Sequence, residues 1–183
     1  KDQRLGDCTI INDYIGETNT IGNVDVVDGG CGKMADRVIK RLKTLKIKSP
    51  YLHITHPHYD HYFGIRKIIN DKWFTPKALY CQDPNTIGDV SSDVKENKRV
   101  LRTIISEATA RGIKVIYLKN GDTVQHGNIY IKVYRDNSVS YRGNSDAYLN
   151  DGSLCYWLST LSYLTTGDAD LGCANRYGLH PKS

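Results

Sequence analysis

The stretch THPHYDHYFG, residues 55 to 64, places His56, His58, Asp60 and His61 within six positions, and three of the chain's six histidines fall in it. Neutral imidazole and carboxylate are the donors that Zn²⁺ and similar borderline cations take up readily. Side chains two apart in an extended segment point the same way, so His56 and His58 can reach one cation together. Asp60 and His61 are adjacent and diverge, which suits a second ion beside the first. The chemistry on offer is metal-assisted hydrolysis. Two cations about 3.5–4 Å apart share a water and lower its pKa from about 15.7 toward 7. The hydroxide so formed attacks phosphorus or a carbonyl carbon, and Asp60 is the candidate catalytic carboxylate that orients the water or accepts its proton.

Such a cluster needs a frame. The preceding residues, YLHIT, are β-branched and aromatic and read as a strand, so the ligands fall where that strand ends and a helix begins. In an α/β sheet, sites are built outside the carboxyl ends of the strands. His53 lies inside this strand and reads as a packed, hydrogen-bonded histidine. Gly64 is expected to turn the chain into a helix starting at Ile65. Upstream, strands at Thr9–Ile11 and Val24–Val27 lead to Asp28-Gly29-Gly30, a carboxylate on a tight turn. Between Lys33 and Lys48, Val38, Ile39, Leu42 and Leu45 recur at helical spacing beneath Lys33, Arg37, Lys40, Arg41, Lys43, Lys46 and Lys48, an amphipathic helix with a basic outer face. Downstream we read a strand at Ala78–Cys81, a helix at Asp93–Ala110 ended by Gly112, strands at Lys114–Leu118 and Ile129–Tyr134, and a polar loop to Asn150. A hairpin of Ser153–Leu158 and Ser162–Thr165 closes on Thr166-Gly167-Asp168. Trp73 and Phe74 are expected packing anchors. The pattern is α/β with two sheets and interleaved helices, in a single domain over 1–183.

Bulk properties fit a globular chain. Hydrophobic residues make up 39% and charged residues 25% of the 183 positions, and no apolar run approaches the roughly 20 residues of a membrane span. The net charge of +5 is mild. It reads as a solvated basic face before it reads as a nucleic-acid footprint, which leaves nucleic acid a weakly supported partner. Five cysteines without paired spacing, Cys8, Cys31, Cys81, Cys155 and Cys173, argue against a disulfide framework. The first residue is Lys1, so we expect a segment removed upstream; the compartment, cytoplasmic or secreted, is open.

Taken together, Gly6-Asp7-Cys8, VVDGG, THPHYDHYFG and YLTTGDAD resemble the metallo-β-lactamase fold, in the right order over nearly the whole chain. The resemblance implies an αββα sandwich of two mixed β-sheets flanked by helices, lacking its final portion here. It implies that His56 and His58 bind a first metal, that Asp60 and His61 bind a second, and that Asp168 bridges them, while Asp28 holds a ligand in orientation. The implied cofactor is Zn²⁺, one or two ions, with Mn²⁺ or Fe as substitutes. NDGSLCYWL ahead of YLTTGDAD is similar to the branch containing the hydrolase domain of competence proteins and the phosphorylcholine esterases. That implies a phosphodiesterase acting on a small-molecule or polymer phosphoester. The family's third histidine on the first metal has no counterpart, since His126 reads as a turn residue; Asn150, Asp151 or water would stand in. The family's late histidine is missing too, because His180 falls too early and reads as a tail residue. These departures carry the alternative, a non-catalytic or single-metal binding module of the same fold. Tyr59 and Tyr62 flank the cluster and read first as loop packing.

Overall fold

The computed structural model describes residues 6–15, 20–158 and 163–169. Cys173, His180 and the tail beyond Ala169 therefore lie outside the described residues. The first sheet holds β1 (Thr9–Ile15), β2 (Thr20–Val27), β3 (Tyr51–His53), β4 (Ala78–Cys81) and β5 (Lys114–Tyr117), side by side in that order. β1 and β2 are antiparallel, with Thr9 opposite Val27, while β2, β3, β4 and β5 run parallel, with Val27, His53 and Tyr80 in line. The parallel pairs are joined by helical crossovers: α1 (Gly32–Thr44), α2 (Tyr59–Asn70) and α3 (Ser92–Ala110). The second sheet holds β6 (Thr123–His126), β7 (Ile129–Tyr134), β8 (Cys155–Leu158) and β9 (Tyr163–Thr165). Its described strands are all antiparallel, as short connections require, so only the first sheet is mixed. A fourth helix, α4 (Ser145–Asp151), precedes β8.

Alternation along the strands sorts the core into two layers. Val24, Val26, Leu52, Leu79 and Cys81 face α1, α2 and α3, whose Val38, Leu42, Ile65, Ile68, Ile69, Leu101 and Ile104 are buried against them, with Phe74 in the same layer. Val27, Ala78 and Tyr80 face the other way and meet Val124, Ile131, Val133, Leu154, Tyr156 and Leu158 of the second sheet. The structure thus has the two-sheet α/β architecture expected of the chain.

Several local readings are corrected. α2 begins at Tyr59, not after Gly64, so Asp60 and His61 occupy its first turn and Gly64 its interior. Gly64 is there for contact: a β-carbon on it would overlap the Gly29 carbonyl, and the Gly64 N–H donates to Gly30 O at 3.0 Å. The Asp28-Gly29-Gly30 turn and α2 therefore press backbone to backbone. His126 ends a strand instead of sitting in a turn, because Gly127 and Asn128 make the hairpin bend. The polar stretch before Asn150 contains α4, whose Asn144 side chain caps it by accepting from Ala147 N at 3.1 Å. α1 stops at Thr44, four residues short of Lys48, where Lys46 turns left-handed at φ +57°.

Candidate metal centre

Backbone placement comes first. The chain leaves β3 at His53 and passes through Thr55, His56 and His58 into α2, with His58 as the residue before its first turn. The Asp28-Gly29-Gly30 turn leaves β2 alongside, and Gly29 N donates to His61 O at 2.8 Å. From the second sheet, Leu154 N donates to Thr55 O at 3.0 Å, which ties β8 to the loop after β3. Gly167 then passes so close that a β-carbon would lie 2.7 Å from Thr55 Oγ1, and its backbone is left-handed at φ +55°. Only glycine fits comfortably there, and that approach delivers Asp168 to the histidines.

The side chains converge accordingly. His56, His58 and Asp168 each offer one ligand atom, all within 4.8 Å of one another, and among the described residues they are the one such group of three. His56 Nε2 and His58 Nδ1 face each other at 2.9 Å. His61 Nε2 lies 3.2 Å from Asp168 Oδ1. Asp60, although next to His61 on the helix, is not part of the triad; it lies against Gly6, and its charge is felt by Asp7 and His58.

Behind the triad, Asp28 fixes how the rings are protonated. Its Oδ2 accepts the Thr55 hydroxyl at 2.7 Å and its Oδ1 the Thr55 N–H at 2.9 Å. It also takes the His61 Nδ1–H on Oδ2 at 2.9 Å. Thr55 has one hydroxyl proton and gives it to Asp28. Its oxygen therefore accepts from His56 Nδ1–H at 3.1 Å. His56 is thereby held with its lone pair on Nε2, the atom that faces His58. A carboxylate behind a ligating imidazole orients the ring and raises its basicity. Asp28 stands directly behind His61 and, through Thr55, behind His56, the place from which the resemblance has it orient a ligand. Thr55 carried no signal in the sequence beyond preceding a histidine.

Electrostatics match ligand duty. Burial holds His56 well below the usual imidazole value, helped by the neighbouring His61 and His58, and burial also lowers His58. Both rings are neutral at neutral pH, as metal ligation requires. Burial opposes charge on His61 too, yet its hydrogen bonds to Asp168 and Asp28 lift it to about 10. The same His61 contact holds the Asp168 carboxyl below its ordinary range. Asp7 was part of a motif in the sequence but had no role there. Burial raises its carboxyl; His61 opposes that rise, and Asp168, Asp28 and Asp60 reinforce it, so a third negative group looks onto His61.

The donor set fits a borderline divalent cation: two neutral imidazoles, a carboxylate, and the buried Nε2 of His58 without a hydrogen bond. Asp146 Oδ1 lies 3.5 Å from that nitrogen, too far for a good hydrogen bond, and it is 83% exposed.

His126 is elsewhere. Its Nδ1 bonds Asp25 Oδ1 at 2.8 Å and its Nε2 meets Tyr80 OH at 2.9 Å, between the two sheets. His53 bonds the same Asp25 oxygen at 2.7 Å, so it is packed and hydrogen-bonded as expected. Tyr59 is exposed while Tyr62 is buried in the α2 core, so Tyr62 is a packing residue. Cys8, Cys31, Cys81 and Cys155 form no disulfide among the described residues. No described helix is long and apolar enough to cross a membrane.

No protein-family model matches the chain, and no curated protein matches it. Among solved structures, the BLEG-1 B3 metallo-β-lactamase is similar at 17% identity with a TM-score of 0.47, over 85% of this chain and 70% of that one. At that TM-score the likeness carries no functional weight, and the chemistry rests on the residues.

Proposed function

We propose that this chain is a metal-dependent hydrolase of the metallo-β-lactamase type and that its substrate is a phosphodiester. The observation that carries the reading is the meeting of His56 and His58 with Asp168, more than a hundred residues away, with one ligand atom from each within 4.8 Å of the others. His58 Nε2 is buried there with no hydrogen bond of its own. In this reading His56, His58 and Asp168 hold the first cation, while Asp60, His61 and Asp168 border a second. Zn²⁺ suits the imidazole-rich set best, with Mn²⁺ or Fe as alternatives. A bound divalent cation supplies Lewis acidity and lowers the pKa of a water toward neutrality. The protein's own residues do the rest. Thr55 keeps the His56 lone pair aimed at the site, Asp28 anchors the His61 ring from behind, Asp168 stays ionised beside them, and Asp60 accepts or orients a proton at its edge. The preference for phosphorus over carbonyl carbon comes from the resemblance of NDGSLCYWL and YLTTGDAD to the esterase branch.

The test is cleavage of bis(p-nitrophenyl) phosphate by purified protein, with metal content measured in parallel. Activity that depends on one to two bound transition-metal ions and vanishes with EDTA is expected. Cleavage that survives complete chelation would reject the mechanism. A second reading, a non-catalytic module with one metal, draws on Asp60 lying outside the triad. Stoichiometric Zn²⁺ without turnover of any phosphoester would favour it.

A further inference from the structure

A crevice of about 470 Å³ opens beside the candidate metal centre and has no role in the reading above. Its size is ordinary for a site holding a small organic group. Its position follows from the sheet. Thr55 and His56 follow β3, Gln82 follows β4, and Tyr117 ends β5, three neighbouring parallel strands opening on the same edge. Strands lie about 4.8 Å apart, so Tyr117 stands two spacings, roughly 10 Å, from the strand that leads to the histidines. Gln82 joins the two places, since its Nε2 donates to Thr55 O at 2.7 Å and to Gly152 O at 2.8 Å.

The walls select a chemistry. The Tyr117 ring stands at the mouth with 47% of its surface exposed. Tyr148 is a fixed wall, because its hydroxyl accepts from Gly88 N at 3.1 Å. Arg135 is buried in the lining; its Nη1 donates to Thr86 Oγ1 at 2.8 Å and its Nε to Gly152 O at 3.2 Å. The lining carboxylates are turned to the backbone: Asp83 accepts from Asn85 N at 2.9 Å, and Asp136 from Ser138 N at 2.8 Å and Ser138 Oγ at 2.6 Å. Lys119 adds a second cation to the lining. Aromatic faces beside planar donors and cations suit a flat ring with acceptor atoms on its edge.

We infer that this crevice takes the ester group that stays on phosphorus, and that this group is a planar ring with hydrogen-bonding edges, of the nucleobase kind, stacked on Tyr117. The inference rests on the phosphodiesterase reading and names its substrate class. The experiment compares two diesters with the same leaving group, thymidine 5′-(p-nitrophenyl phosphate) and methyl p-nitrophenyl phosphate, on Zn²⁺-loaded full chain. The thymidine ester is expected to be favoured at least tenfold in kcat/KM. That ratio should fall about tenfold or more in Tyr117→Ala, the order of one lost stacking contact, and return in Tyr117→Phe. A ratio near one in the wild type, a ratio unmoved by Tyr117→Ala, or a preference for p-nitrophenyl phosphorylcholine over both would overturn the inference. If the wild type turns over no diester, the hydrolase reading fails by itself. The crevice is then read by titration calorimetry with thymidine 5′-monophosphate. Binding weakened at least tenfold by Tyr117→Ala upholds the subsite, and no binding to the wild type removes it.

Discussion

Two histidine–carboxylate clusters lie three residues apart along one strand and its exit. The first, Asp25, His53 and His126 with Tyr80, is sealed between the sheets; the second, His56, His58, His61 and Asp168 backed by Asp28, sits at the sheet edge. The residue types are nearly the same, and what differs is what the rings face. In the sealed cluster both rings give a proton to the same oxygen of Asp25, and His126 Nε2 is met by the Tyr80 hydroxyl. Burial, then the charge of Asp25, raises the Tyr80 hydroxyl to about 12, so Tyr80 keeps its proton and donates it. His126 therefore has no lone pair to spare, and its ring stacks flat on Tyr51 at 3.3 Å. In the edge cluster Thr55 and Asp28 take up the outward N–H of His56 and His61, while the inward nitrogens face other groups of the site, His56 Nε2 toward His58 Nδ1 at 2.9 Å and His61 Nε2 toward Asp168 Oδ1 at 3.2 Å. Each cluster has one buried ring nitrogen without a hydrogen bond, His53 Nδ1 in the sealed cluster and His58 Nε2 at the edge, and among the described residues only the edge cluster gathers two histidines and a carboxylate with ligand atoms within 4.8 Å of one another.

The sharpest way to break this contrast is to remove one ring from each cluster. His56→Ala and His58→Ala should each abolish stoichiometric metal binding and phosphodiester cleavage, checked by elemental analysis and by hydrolysis of bis(p-nitrophenyl) phosphate. His126→Ala should leave metal content unchanged. It should instead destabilise the fold by about 3 kcal/mol, because the buried Asp25 carboxylate loses a donor between the sheets. The measurement is the shift of the urea unfolding midpoint. If His126→Ala lost metal and His56→Ala did not, the two clusters would have been assigned the wrong way round.

The edge cluster was largely legible in the sequence and the sealed one was not, for a physical reason. His56, His58, Asp60 and His61 are local, so their spacing alone announces them, whereas Asp168 enters only through the resemblance of YLTTGDAD to the family's Gly-Asp strand. Asp25, His53 and His126 come together through parallel pairing of β2 with β3 and the packing of two sheets, with a separation of 101 residues between Asp25 and His126. Nothing in the spacing encodes that contact. His126 read as a turn residue because only Gly127 and Asn128 are one, and the four-residue strand before them, TVQH, is too short to stand out. The true start of α2 at Tyr59 is hidden in the sequence because Gly64 reads as a point of chain reversal. Its task, contact with Gly29, is visible only once both backbones are placed. The architecture of helices between parallel strands followed from element order, which is a local property too.

A subtler variant sharpens the comparison at the layer behind the ligands. Asp28→Asn keeps the shape of the side chain but makes it a poorer acceptor for His61 Nδ1–H and the Thr55 hydroxyl. Loss of such a carboxylate costs about 10–100-fold in metal affinity, with the site still formed. Competition with a chromogenic chelator at pH 7 measures this directly. An unchanged affinity would mean that Asp28 holds the turn alone and the rings orient themselves.

The smallest effect lies in the sealed cluster and is read by acid. Burial by itself would raise the Asp25 carboxyl, but hydrogen bonds from His126 and His53 outweigh it and hold the group below its ordinary value of 3.8. A carboxylate depressed in the folded state contributes stability that is fully present above the unfolded value. That stability is lost as pH falls below about 4 through the lower folded value, with a slope of at most about 1.4 kcal/mol per pH unit for one proton. Urea midpoints collected from pH 6 down to 3 should therefore fall less steeply in Asp25→Asn than in the wild type. The exposed ion pairs, such as Glu96 with Arg99, change little between the two proteins and cancel in the difference. Asp28→Asn cannot produce the same flattening by this route, because it leaves the Asp25 network whole. Parallel acid curves for Asp25→Asn and wild type would mean that the sealed cluster holds no carboxylate charge. Its two histidines would then be plain packing rather than the donors that keep a buried anion in place.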